Sequence, residues 1–126
     1  MADDARTINS RLVRELAVDE DSVLETLQAA AAALGNGTPI NLKGYRGLTL
    51  EVTGTFVATL TFEGTIDDAS WFAVGLKTAA DGAAVSTATA PGAFKLPADV
   101  TLSQLRARVS AFTSGAVTAK SRKHPR

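Results

Sequence analysis

The chain has 126 residues, no cysteine and a single histidine, and its thirteen basic side chains balance thirteen acidic ones. A chain of this length makes one domain and at most an arm, and a globule of that size buries roughly two thirds of its unfolded surface, while the missing thiols exclude a disulfide framework and a thiolate zinc site. The neutral total hides a split: residues 1–30 carry seven acids against three arginines, and after Asp99 there are six basic residues and no acid. An acidic start and a basic end suit contact between copies, or a basic tail laid on an acidic neighbour.

In chain order, the opening MADDARTINS is acidic and polar where a signal peptide is basic and then apolar, and the apolar run 29–34 is too short to span a bilayer. No leader and no membrane partner are expected. Ile8, Leu12 and Leu16, then Val23, Leu24, Leu27, Ala31 and Leu34, recur at spacings of three and four, which predicts helix over 4–34. The acids at 19–21 interrupt the stripe. Ser22 followed by Glu25 reads as a capping box, so two helices are predicted, 4–18 and 22–34, closed by the Gly35 to Pro39 breaker. This arm, residues 1–39, packs either on its own domain or on a neighbour. In the second case Leu24, Leu27, Ala31 and Leu34 form a short intersubunit seam.

From Leu42 the period changes from three and four to two. Leu48, Leu50 and Val52 alternate with Thr49, Glu51 and Thr53, and after a tight turn at Gly54-Thr55 the same parity runs through Phe56, Ala58, Leu60 and Phe62. A short apolar run at 71–76, a turn at Asp81-Gly82 and weak strands near 84–89 and 92–96 follow. Leu105, Ala107, Val109 and Ala111 then alternate with Arg106, Arg108 and Ser110 before Ser114-Gly115 turns the chain into 116–119. The fold class expected is mainly β: an antiparallel, jelly-roll-like β-sandwich over 40–120, preceded by the helical arm and followed by a basic tail, 121–126.

Little in the sequence points to catalysis. His124 stands in the basic tail, and Gly35 and Gly37 follow the predicted helix, so neither a triad nor a phosphate loop is expected. Neither is an enzymatic activity or a cofactor. Glu63, Asp67, Asp68 and Ser70 are oxygen donors of the type that holds calcium, although Asp-Asp before a strand is also ordinary turn chemistry. Trp71 is either a core residue or an exposed platform for a sugar ring. Arg106 and Arg108 share one strand face, with Lys120 and Arg122 expected beside them on the hairpin partner and Lys123 following. That stripe serves a protein neighbour or solvent better than nucleic acid, because no aromatics are interleaved with it.

Three blocks, TGTFVATLTFEGTIDDASWFAV, APGAFKL and LSQLRARVSAFTSGAVT, taken in this order, resemble a group of small structural proteins of tailed bacteriophages. The resemblance covers a little over half of the chain and leaves out its first 49 residues. It implies a jelly-roll sandwich on the virion, assembled in the host cytoplasm, in a capsid-decoration, head-fibre, connector, baseplate or tail-associated role. The implied partners are the major capsid protein or other virion proteins, together with further copies of the chain. The strand-turn-Trp block also looks like the galactose-binding sandwich used for host attachment. One Trp and one Tyr are few for a glycan binder.

Overall fold

The computed structural model describes residues 22–125, and all the regular elements among them are β-strands. β1 (Val23–Ala31), β3 (Tyr45–Thr53), β6 (Leu76–Thr78), β7 (Ala84–Val85), β9 (Gly92–Lys95) and β11 (Val117–Pro125) form sheet A in the order β1-β11-β3-β9-β6-β7. Sheet B holds β2 (Ile40–Asn41), β10 (Gln104–Gly115), β4 (Phe56–Thr65) and β5 (Phe72–Ala73) in that order, with β8 (Thr87–Ala88) also pairing β4. Every pairing is antiparallel. The two sheets enclose one core in a sandwich-like arrangement. Phe62 from sheet B meets Phe94 from sheet A with ring centroids 5.2 Å apart.

The period-2 text lands as read. Leu48, Leu50, Val52, Ala58, Leu60, Phe62, Leu105, Ala107 and Val109 are all buried. Ala111 is exposed instead of buried, because a register shift between Val109 and Ala111 breaks the alternation.

The turns differ from the expectation. Gly54-Thr55 and Ser114-Gly115 do not fold strands back within a sheet; each carries the chain across to the other sheet. β4 pairs β10 from Thr65 to Phe56, and β3 pairs β11 from Thr53 to Tyr45. The β3–β4 and β10–β11 segments therefore form one long antiparallel ribbon, bent at a corner and shared by both sheets. Both strands bend at the same level: the Ala116 N–H donates to the Thr55 carbonyl at 3.1 Å. Gly115 has φ +91°, and a Cβ there would lie 2.2 Å from the Thr55 oxygen. Only glycine fits this corner.

The largest correction is β1. Residues 23–31 form an edge strand of sheet A, not the helix expected over 22–34, while the helix expected over 4–18 lies outside the described residues. The physical cause is irregular pairing. Register shifts on either side of Gln28 and a positive φ (48°) at Ala30 break the alternation, so Leu27 and Gln28 are both buried although adjacent. Two bulges in nine residues erase period 2 from the text and leave spacings that imitate a helix. The capping-box pair is used otherwise: the Ser22 hydroxyl accepts from Arg122 at 2.9 Å, and Glu25 pairs with Lys123 at 2.6 Å. A run of alanines buries little area per residue, so tertiary pairing with β11 outweighs helix propensity here. The Gln28 side chain plugs the gap between the sheets, donating to the Ala107 carbonyl of β10 at 2.7 Å and to that of Gly35 at 3.2 Å.

The other terminal expectation changes as well. Residues 117–125 are a strand between β1 and β3, so the segment read as a basic tail from 121 is internal to sheet A as far as Pro125.

Candidate functional site

The chemistry lies on the outer faces of the two sheets. On sheet B, Glu63 of β4 stands between Arg106 and Arg108 of β10. One carboxylate oxygen, Oε1, accepts from Arg106 Nε at 2.9 Å and lies 2.8 Å from its Nη2, and Oε2 accepts from Arg108 Nε at 3.2 Å. The Arg106 guanidinium also stacks on Trp71, 4.1 Å from a ring centroid. Further along the same strands the hydroxyls of Thr61 and Ser110 are 2.8 Å apart. Charge-assisted bonds to both oxygens of one carboxylate fix all three side chains. Trp71 is half-buried and stands outside the core cluster. It covers an arginine, which neither sequence reading anticipated, and one face of its ring is taken.

The loop after β4 is held by its acids. Asp67 Oδ1 accepts the N–H groups of Ala69 (2.9 Å) and Ser70 (2.8 Å) and the Thr65 hydroxyl (3.1 Å). Asp68, in the left-handed region at φ +63°, accepts from Ser103 (2.7 Å) and Gln104 (2.9 Å) on Oδ1 and from Lys43 (2.7 Å) on Oδ2. Asp67 is held below the ordinary carboxylate range chiefly by the Ser70 and Ala69 N–H groups, and Asp68 chiefly by the Lys43 ammonium, then by Gln104 and Ser103. The three acids considered for calcium therefore do not converge. Glu63 is committed to two arginines and Asp68 to a lysine. Among the described residues no group of three or more His, Cys, Asp or Glu side chains is placed to hold a metal.

The proposed seam and basic stripe are both dispersed. Leu27 is in the core, Ala31 is partly buried against it, and Leu24 and Leu34 are exposed at 58% and 66%. Because β10 and β11 lie in opposite sheets, Arg106 and Arg108 face one side of the sandwich while Lys120 and Arg122 face the other. Lys123 turns inward and is 3% exposed. Its ammonium sits over the Tyr45 ring at 4.1 Å, pairs with Glu25 and donates to the Asn41 carbonyl, tying β1, β2, β3 and β11 at one end of the core. The sequence reading missed two cations, Lys77 and Lys95. The register places them on the same outer face as Lys120 and Arg122, and nothing in the linear text reports that neighbourhood.

The fold is shared with solved structures. Over 82% of its length the chain is similar to the SPBc2 prophage-derived protein YomS, covering 92% of that chain at a TM-score of 0.74 and 19% identity. It is similar over the same share to the PBSX exported protein XepA, at a TM-score of 0.76 and 15% identity, and spans 37% of that chain's length. At such identities the likeness is one of fold. No protein family and no curated protein matches the chain by sequence.

Proposed function

We propose that this chain is a phage-associated, non-enzymatic protein that works through protein contacts, in the form of a capsid-decorating or capsid-bracing accessory of the virion with a jelly-roll-type body. The observation that carries the reading is the pair of fold neighbours, both named from prophages. The three sequence blocks, which resemble small virion structural proteins, point the same way. So does the rigid outer face of sheet B, on which Glu63 locks two arginines and a tryptophan, because prefixed arginine and aromatic side chains suit protein interfaces. The partners are then the major capsid protein or other virion proteins, with further copies of this chain.

A second reading has one specific support. XepA is described as an exported protein, so a phage-encoded protein released from the host is the rival. Antibody labelling of gradient-purified particles, alongside the particle-free supernatant, separates the two. Labels spread over heads are the expected result. Protein confined to the supernatant would reject the virion role, and labels at one vertex or along the tail would replace decoration with a connector or tail role.

A further inference from the structure

The register of sheet A aligns one residue from each of five strands in a single row: Leu24, Arg122, Thr49, Lys95 and Lys77. The neighbouring row holds Thr26, Lys120, Glu51 and Ala93. All of these side chains are exposed, and within their strands they alternate with inward ones such as Leu50, Val52, Leu76, Phe94 and Ser121. The two rows therefore carry four cations and one carboxylate on one face. Lys77 and Lys95 lie directly opposite each other, an arrangement of like charges that costs stability. Among the described residues Lys43, Arg106, Arg108 and Lys123 each have a carboxylate partner, whereas Lys77, Lys95, Lys120 and Arg122 have none.

We propose that this outer face of sheet A is a docking surface for a carboxylate-rich segment of a partner protein. Charge complementarity carries the argument. Neighbouring strands stand about 4.8 Å apart, so Arg122 and Lys95 are roughly 10 Å apart and Lys95 and Lys77 roughly 5 Å. An extended acidic segment laid across the strands meets a cation at both ends of that span. At the Arg122 end a groove of about 620 Å³, bordered by Leu24, Thr49, Glu51, Lys120 and His124, seats an apolar side chain beside the exposed Leu24. Neither row contains an aromatic residue, so nucleic acid finds no stacking platform there. Leu24 is the one large apolar side chain in the two rows, which gives a lipid surface too little to bury. The surface lies on the side of the sandwich opposite the Glu63 network, and its chemistry is the same for a particle-borne protein as for an exported one.

The test is fluorescence anisotropy of a labelled peptide of eight glutamates ending in leucine, titrated with the full chain at low and at physiological salt. Saturable binding that weakens with salt is expected. The K77E/K95E variant should bind at least tenfold more weakly while melting no lower than the parent. No binding to the parent chain, or equal binding to the variant, overturns the proposal. A single-stranded oligonucleotide of equal charge, or an anionic vesicle, that displaces the peptide at lower concentration overturns it in favour of those ligands. Tighter peptide binding after the six acids of residues 1–21 are changed to amides also overturns it, since the face would then be claimed by the chain itself.

Discussion

On the outer face of sheet B, two arginines share one carboxylate and one of them is roofed by a tryptophan; on the outer face of sheet A, four cations stand together with one acid among them. The residue types are nearly the same, yet their energetic states are opposite. Glu63 is 13% exposed and Arg106 17%, so each is stable only because the other is there, and the group presents a prefixed face without a free charge. The outer-face cations of sheet A are exposed and have no carboxylate partner among the described residues, Arg122 donating there to Ser22; they cost the fold a little by repulsion and keep charge available to another molecule. A charge buried against its partner is a structural element. The same charge left in a row on a flat sheet is a surface waiting for a complement.

Three measurements probe that contrast. Glu63→Ala leaves two guanidinium groups without a counter-charge, one of them mostly buried, and urea denaturation should show a loss of about 2–3 kcal/mol. A loss below 0.5 kcal/mol, the level ordinary for exposed pairs, would show that the network is worth no more than a surface ion pair. Lys77→Glu should act in the other direction, stabilising by about 0.5 kcal/mol through a new cross-strand pair with Lys95. A loss of stability would mean that Lys77 does more for the fold than its exposed position implies. The acid loop beside sheet B gives a pH-dependent version of the same contrast. Asp67 and Asp68 are lowered relative to the unfolded chain, so their contribution is fully present above the ordinary carboxylate pKa and is lost as pH falls through the lower folded values. Asp68→Asn should therefore narrow the stability gap to the parent as the medium is acidified below about pH 4. A gap independent of pH would separate the stability of the loop from that charge.

How much of this could be read from the sequence follows from what a strand writes into its text. Where the pleat is regular and one face is buried, as from Leu48 to Val52, Ala58 to Phe62 and Leu105 to Val109, the alternation names the inward residues directly. In β1 the bulges around Gln28 removed the alternation, and a helix was the natural misreading. Alternation also says that a residue faces in or out without saying of which sheet. For that reason the glycine turns at 54 and 115 passed for hairpins, and Arg108 was grouped with Lys120 although they face opposite sides. The pairing of Lys95 with Lys77 depends on register between residues eighteen apart in sequence, and the acidic loop gave its residue types but not their partners. Of the candidate surface, Lys120 and Arg122 were legible as basic residues, whereas Lys77, Lys95 and the arrangement of all four were not.

The place of β11 bears on how the chain is made as well as on how it stands. Ser22 and Arg122, bonded side by side, are a hundred residues apart in sequence. At ordinary rates of synthesis, on the order of ten seconds pass between the emergence of β1 from the ribosome and that of the strand it pairs with. During that interval Leu27, almost wholly covered in the finished sheet, has no partner strand to cover it. Sheet A is therefore a late product, closed by pairing at high contact order, and an unpaired β1 is the segment through which a nascent chain would first meet a chaperone or another copy of itself.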